Sequence, residues 1–124
     1  MKILIIDNYD SFTFNLYQCC GEILNKKLPN SNHEIIVKRN DEIDLNDIKN
    51  IKPDRIIISP GPGSPENKEY FGICKEAILT FGPTIPLLGI CLGMQGIVHS
   101  FGGNIIHANE PMHGKTSFLI HDQS

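Results

Sequence analysis

Three short runs of aliphatic residues constrain the fold of this chain more than any other feature. Residues 2–6, 55–59 and 86–90 are β-branched or leucine-rich and show no alternation of apolar with polar positions. Runs of this kind are typical of strands that are covered on both faces in a parallel sheet. A fourth and weaker run, residues 33–38, is expected nearer an edge of the same sheet.

Segments with helical periodicity separate these runs. They are residues 12–24, 45–50, 68–81 and 92–101. Asp10 or Ser11 is the expected N-cap of the first helix. Strands and helices that alternate in this way are joined by right-handed crossovers. The predicted fold is therefore α/β, an open and mostly parallel sheet with helices on both faces. After the last helix, residues 104–107 and 116–120 are predicted to be two further strands.

Composition and charge exclude several classes of function. The chain has 124 residues, 40% of them hydrophobic, which suits one domain with a modest core. Its 11 basic residues are scattered and the net charge is -3, so neither nucleic acid nor an anionic membrane is an expected partner. The apolar run after Met1 is too short for a signal peptide, and none reaches the roughly 18 residues of a membrane-spanning helix. We expect a cytoplasmic protein.

The four cysteines predict neither a disulfide framework nor a metal site. They form no C-x-x-C pair, and no histidine stands at zinc-finger spacing. Cys19, Cys20 and Cys74 fall within helical patterns and are predicted to be buried, as free cysteines commonly are. The glycine-rich segments do not match nucleotide-binding loops either, because Glu66 and Asn109 replace required glycines. No metal or cofactor is predicted.

Cys91 is the strongest candidate for a catalytic residue. It lies in the sequence Gly-Ile-Cys-Leu-Gly between a predicted strand and a helix, an arrangement typical of a nucleophile elbow. The positive end of the helix dipole favours the thiolate, which is the attacking form of cysteine. The N–H of Leu92 can donate to an oxyanion on the substrate. Taken alone, the motif equally fits a buried cysteine at a tight turn.

A second oxyanion donor is expected from residues 60–66. Pro60 and Pro62 have no N–H, which leaves Gly61 and Gly63 as the donors of a stiff loop, although an ordinary turn can have the same composition. This loop, the Cys91 turn and residues 7–11 all follow predicted strands. Because ligands bind beyond the carboxyl ends of parallel strands, the three loops are expected to meet in one crevice.

Four motifs together resemble those of the class I glutamine amidotransferases. They are DNYDSFTFNL at residues 7–16, SPGPGSPE at 59–66, LGICLGMQ at 88–95 and MHGKTS at 112–117. The similarity is greatest to the glutaminase subunits of anthranilate synthase and aminodeoxychorismate synthase. No single motif is specific, but their combination and order are.

The resemblance implies a substrate, a partner and roles for individual residues. Glutamine would be hydrolysed through a thioester on Cys91. The ammonia would pass to a synthase subunit that aminates chorismate. The expected product is anthranilate, for tryptophan biosynthesis. The positions of Gly61 and Leu92 match the oxyanion hole. Those of Gly61, Pro62, Gly63 and Gln95 match residues that hold glutamine.

The resembled family also uses a catalytic histidine two residues before a glutamate, far beyond the nucleophile. None of the five histidines here is followed two places later by an acidic residue. We therefore expect residues 1–124 to be a single amidotransferase domain truncated before that segment, with little activity of its own.

Three alternatives stay open at this point. The partner could belong to the para-aminobenzoate (folate) branch. The elbow could serve another hydrolase or a deglycase with an acidic neighbour. The chain could also be a non-catalytic module that binds the synthase.

Overall fold

The computed structural model describes residues 1–103, which form a four-stranded, wholly parallel sheet in the order β2-β1-β3-β4. The strands are β1 (Lys2–Asp7), β2 (Glu34–Arg39), β3 (Arg55–Ile58) and β4 (Leu87–Gly89). All four were predicted within one or two residues, and β2 lies at an edge as expected. The predicted strands at 104–107 and 116–120 and the motif at 112–117 lie outside the described residues.

Helices occur in all four predicted segments. They are α1 (Thr13–Lys27), α2 (Leu45–Ile51), α3 (Lys68–Phe71), α4 (Cys74–Phe81) and α5 (Leu92–Ser100). Within residues 1–103, no helix combines the length and the apolar character needed to cross a membrane.

Alternate residues of the strands pack into two separate cores. In β1, Leu4 and Ile6 point into the larger core, which contains residues of α2 to α5. Ile3 and Ile5 point to the opposite face, where Leu24 of α1 covers them. Side chains of a strand alternate between faces, so a run that is apolar throughout must be covered on both. The prediction of helices on both faces is confirmed.

The start of α1 differs from the prediction. Its N-cap is Phe12, and neither Asp10 nor Ser11 caps the helix with its side chain. The carboxylate of Asp10 instead accepts a hydrogen bond from the N–H of Phe12 (2.8 Å). Asp7 accepts hydrogen bonds from the N–H of Asp10 (3.1 Å) and the hydroxyl of Thr13 (2.7 Å). Asp7 and Asp10 therefore stabilise the loop and connect it to the first residue of α1, without capping the helix.

The predicted helix at residues 68–81 is broken at Gly72. This glycine has a φ of 55° and a ψ of −126°, which a helix cannot continue and which L side chains rarely adopt. A Cβ at Gly72 would lie 2.6 Å from the carbonyl oxygen of Asn40, so the chain approaches the end of β2 closely there. That oxygen also accepts a hydrogen bond from Ile73 N (3.1 Å). A single glycine in a helical pattern does not reveal such a contact.

The helical cysteines are not all buried as predicted. Cys74 is fully buried, Cys20 is half-buried and Cys19 is exposed. In α1 the face toward the sheet consists of Leu16, Cys20 and Leu24, which follow one another at intervals of four residues. Cys19 lies outside that spacing, so the prediction for this residue is wrong.

Candidate active site

Three loops meet beyond the carboxyl ends of the strands, and Gly61 stands at their junction. A Cβ at Gly61 would lie 2.5 Å from Asn8 Cβ, 2.6 Å from the carbonyl oxygen of Asn8 and 3.0 Å from Leu92 Cδ2. Asn8 follows β1, Gly61 follows β3 and Leu92 begins α5. The structure therefore brings these loops into contact as the sequence predicted, with no room for a side chain at Gly61.

Cys91 occupies the turn between β4 and α5 in a strained conformation. Its φ is 52° and its ψ is −107°, a combination that non-glycine residues rarely adopt. Its carbonyl oxygen accepts from Gln95 N (2.9 Å) at the start of the helix, and the residue is exposed. A strained strand-to-helix turn that exposes a thiol is the geometry of a nucleophile elbow.

The glycines beside Cys91 allow the helix to pack closely on the sheet. A Cβ at Gly93 would overlap the carbonyl oxygen of Ile58 in β3, and a Cβ at Gly89 would overlap the backbone of Gly93. The carbonyl oxygen of Ile58 accepts from the N–H of Ile90 (3.0 Å), which fixes the turn to the neighbouring strand. Both flanking glycines are thus required by the close packing of the helix on the sheet.

Two backbone N–H groups at this junction are free to donate. Leu92 is the first residue of α5, where helical N–H groups have no acceptor within the helix. Gly61 lies between two prolines that have no N–H. Among residues 1–103, neither of these N–H groups donates to another protein atom. Their use as an oxyanion hole stays a prediction, but the structure places the two residues in contact.

The other predicted substrate residues lie in the two segments that form this junction. Pro62 and Gly63 are exposed, and Gln95 is half-buried on the first turn of α5. Gly63 has a φ of 78°, and a Cβ there would overlap the ring of Tyr70. Tyr70 therefore covers one side of the loop, a contact that the sequence did not predict because helix α3 was expected to be part of a longer helix.

A buried polar cluster beneath the loop was also missed. It consists of Asn8, Asn40, Ser59 and Cys74, none of them more than 3% exposed, and we call it the Asn8 cluster. Asn8 Oδ1 accepts from Asn40 Nδ2 (2.8 Å) and Cys74 Sγ (3.2 Å), and Asn8 Nδ2 donates to the carbonyl oxygen of Ser59 (2.9 Å). Buried polar groups need such partners, and a satisfied network makes its surroundings rigid. The only sign of this cluster in the sequence is that polar residues directly follow two apolar strands.

The exposed side of the first loop carries charge and an aromatic ring. Tyr9, with a φ of 61°, donates its hydroxyl to the carboxylate of Asp41 (2.6 Å), and this hydrogen bond raises the pKa of the phenol. The guanidinium of Arg39 lies 4.9 Å from the centre of the Tyr9 ring. These contacts connect the loop after β1 to the end of β2. In the part of the chain that the structure describes, no group of histidine, cysteine and acidic residues could hold a metal ion.

Comparison with known proteins identifies the family. The sequence model described as glutamine amidotransferase class-I matches residues 4–124. The chain belongs to the class I glutamine amidotransferases. The match includes Gly61, Cys91 and Leu92, so the elbow described above is that of an amidotransferase domain.

Curated relatives agree with this assignment. Anthranilate synthase component 2 of Methanothermobacter marburgensis is 54% identical over 122 residues, which are 98% of this chain and 60% of the relative. The protein of the same name from Leptospira biflexa is 52% identical, with the same shares covered. Aminodeoxychorismate/anthranilate synthase component 2 of Bacillus subtilis is 48% identical over 97% of the chain and 56% of the relative. The chain thus spans about 60% of the length of the first two of these relatives.

The cysteines are expected to differ sharply in reactivity. Burial raises the pKa of the Cys74 thiol to about 12, so at pH 8 only about one molecule in ten thousand has a thiolate there. We expect iodoacetamide at pH 8 to label the exposed Cys91 and Cys19 in the folded protein while Cys74 stays unlabelled, as measured by peptide mass spectrometry. In urea, where burial is lost, all should react. Native labelling of Cys74 as fast as Cys19 would contradict the buried position.

Proposed function

We propose that this protein is a glutaminase subunit, which hydrolyses the side-chain amide of L-glutamine and delivers the ammonia to a chorismate-aminating synthase in the cytoplasm. The observation that carries the proposal is the strained Cys91 elbow, next to the N–H groups of Gly61 and Leu92, which have no acceptor among residues 1–103. A thiol nucleophile with two unpaired backbone donors in neighbouring segments suits attack on a carbonyl group. Membership of the amidotransferase family supports glutamine as the source of that group.

The proposed reaction proceeds in two steps on Cys91. The thiolate attacks the side-chain amide carbon of glutamine, a C–S bond forms, and the carbonyl oxygen becomes an oxyanion that accepts from the N–H groups of Leu92 and Gly61. When the tetrahedral intermediate collapses, the C–N bond breaks and the nitrogen leaves as ammonia after gaining a proton. Water then attacks the γ-glutamyl thioester, which releases glutamate and restores the thiol. Preorganised donors of this kind act most strongly on the charge that develops in the transition state.

Four residues are proposed to hold glutamine in place. Gly61, Pro62 and Gly63 form a loop beside the elbow in which Pro62 and Gly63 are exposed, and the ring of Tyr70 limits the movement of that loop on one side. Gln95 lies one turn beyond Cys91, and in a helix residues four apart are neighbours on the same face. An amide side chain there can both donate to and accept from the polar groups of glutamine.

The partner is proposed to be the synthase subunit of anthranilate formation. Two of the relatives are named anthranilate synthase component 2, and the Bacillus subtilis relative carries the names of both the aminodeoxychorismate and the anthranilate enzymes. The alternative is therefore that the protein delivers ammonia in the para-aminobenzoate branch, because both synthases aminate chorismate. The partner determines which product forms.

Nitrogen transfer from glutamine tests this proposal directly. The whole protein is mixed with an anthranilate synthase subunit, chorismate, and glutamine labelled at its amide nitrogen, and the product is analysed by mass spectrometry. We expect the label in anthranilate, whereas glutamine labelled at its α-amino nitrogen should give none. A parallel reaction with the aminodeoxychorismate synthase subunit distinguishes the two branches. Absence of label from the products of both synthases would contradict the function.

A non-catalytic role in binding the synthase is a second candidate for residues 1–124 taken by themselves. The observation that favours it is that none of the five histidines stands two residues before an acidic residue. A thiol without a paired base is a weak nucleophile at neutral pH. We expect a polypeptide of these residues alone to release ammonia from glutamine slowly or not at all. A turnover of about ten per second, which is typical of enzymes, would contradict this expectation.

A further inference from the structure

We propose that Ser59 is a positioning residue, which orients the N–H of Gly61 through the Pro60–Gly61 peptide group. The inference rests on the proposed function, because it assigns Ser59 a part in stabilising the oxyanion that forms at Cys91. Ser59 follows β3 directly and is fully buried, so it does not touch the substrate.

The hydroxyl of Ser59 fixes the plane of that peptide group. Ser59 Oγ donates to the carbonyl oxygen of Pro60 at 2.7 Å. A peptide group is planar, and in its trans form the C=O and the next N–H point in opposite directions. The residues described contain no cis peptide bond. Holding the carbonyl of Pro60 toward the buried hydroxyl therefore turns the N–H of Gly61 away from it.

Ser59 is itself held in one orientation by Asn8. The backbone N–H of Asn8 donates to Ser59 Oγ (2.9 Å), and Asn8 Nδ2 donates to the carbonyl oxygen of Ser59 (2.9 Å). A hydroxyl has one proton and two lone pairs. Because Oγ accepts from Asn8 N–H, its own proton remains for the carbonyl oxygen of Pro60. The donor chain therefore runs from Asn8 to Ser59 and then to Pro60.

The rest of the Asn8 cluster holds these hydrogen-bonded groups in place. Asn40 Nδ2 and Cys74 Sγ both donate to Asn8 Oδ1, and Asn40 Nδ2 also donates to the carbonyl oxygen of Tyr70 (2.7 Å). The backbone of Asn8 is also packed against Gly61, where no Cβ would fit. The cluster thus supports the loop from below and ties together segments that follow β1, β2 and β3.

The loop requires such support because glycine does not restrict its own torsion angles. Gly61 is the single N–H donor of residues 60–62, and it has no side chain of its own to restrict φ, one of the two torsion angles that set the direction of this N–H. An oxyanion donor is effective only when its direction is set before the reaction. The Ser59 hydroxyl provides that direction without contacting the reacting atoms.

Two thiol reagents separate positioning from general support of the fold. A chloroketone analogue of glutamine has a carbonyl that must be polarised as the Cys91 thiolate displaces chloride and a C–S bond forms. Iodoacetamide is attacked by the same thiolate with loss of iodide and needs no oxyanion hole. In the whole protein, we expect Ser59→Ala to slow modification by the chloroketone about tenfold to a hundredfold, which is less than the effect of removing an oxyanion donor outright, because the Gly61 N–H is retained but no longer oriented. Iodoacetamide labelling of Cys91 should change by less than about twofold.

Three further variants complete the test. Ser59→Thr keeps the hydroxyl and should restore the chloroketone rate to within about threefold of the original protein. Ser59→Cys keeps a similar volume with a weaker donor and should give an intermediate rate, which covers the case in which Ser59→Ala does not fold. Ser64→Ala is the matched control, because Ser64 lies in the same loop but, among residues 1–103, its hydroxyl accepts a single hydrogen bond, from Glu66 N at 3.4 Å. The Ser64→Ala variant should react with the chloroketone as fast as the unsubstituted protein.

The outcomes distinguish this inference from the proposed function. If Cys91 of the unmodified sequence does not react with the chloroketone, both are wrong. If it reacts and the alanine and cysteine variants at position 59 react equally fast, the positioning role alone is wrong. Equal slowing with both reagents would also overturn it, since that result indicates general damage to the elbow.

Discussion

Cys91→Ser is expected to lower glutamine hydrolysis by the whole protein about a thousandfold or more. Serine is close to cysteine in size, and the strained turn is retained, but a hydroxyl does not ionise near neutral pH as a thiol does. Loss of a covalent nucleophile removes most of the catalytic effect, because the remaining donors only stabilise charge. Steady-state release of glutamate measures the change.

The matched control for this prediction is Cys19→Ser. Cys19 is an exposed thiol on α1, outside the candidate site, and its replacement should leave glutamine hydrolysis within about twofold. In both variants, the synthase partner supplied with free ammonia should still aminate chorismate at the normal rate. If Cys91→Ser kept more than a tenth of the activity, the thioester mechanism would be wrong.

Gly93→Ala is expected to destabilise the fold by about 3 kcal/mol, at the upper end of the range for overpacking. A Cβ at Gly93 would overlap the carbonyl oxygen of Ile58, which is backbone in a central strand and cannot rotate away. The helix must then move away from the sheet and carry Cys91 with it. Urea unfolding of the whole protein measures the loss, and activity should fall together with stability.

Gly21→Ala provides a control within a helix of the same protein. The nearest atom to a Cβ at Gly21 is Ile35 Cδ1 at 3.9 Å, which is an ordinary contact. Alanine is the better helix former, so the variant should gain about 0.5 to 1 kcal/mol. Two glycine-to-alanine changes in helices are therefore expected to act in opposite directions. A loss of stability in both would refute the steric explanation at Gly93.

The layers of the fold could be predicted because a strand that is buried on both faces is apolar at every position. Residues 3–6 and 56–58 are apolar throughout, and both sets contribute to the two cores. The break at Gly72 could not be predicted, because its cause is the approach of Asn40 from a distant part of the chain. Helical periodicity describes one element and contains no information on such contacts.

The elbow could be predicted from local sequence, but its support could not. The glycines at 89 and 93 together with Cys91 specify the turn by their spacing alone. The Asn8 cluster depends on residues separated by between 32 and 66 positions, as in the bonds from Asn40 and Cys74 to Asn8. In the sequence, Asn8 and Ser59 have the polarity of loop residues, and only tertiary contacts bury them.

Both proposed donors belong to segments that are attached to the end of β3. The carbonyl oxygen of Ile58 binds the turn that leads to Leu92, and the next residue, Ser59, begins the loop that carries Gly61. A small displacement of this strand within the sheet would move the two N–H groups together and leave their separation unchanged. The spacing of the donors should therefore tolerate distortion in distant parts of the domain, such as α1, and depend mainly on residues 58–61 and on the Asn8 cluster that holds Ser59.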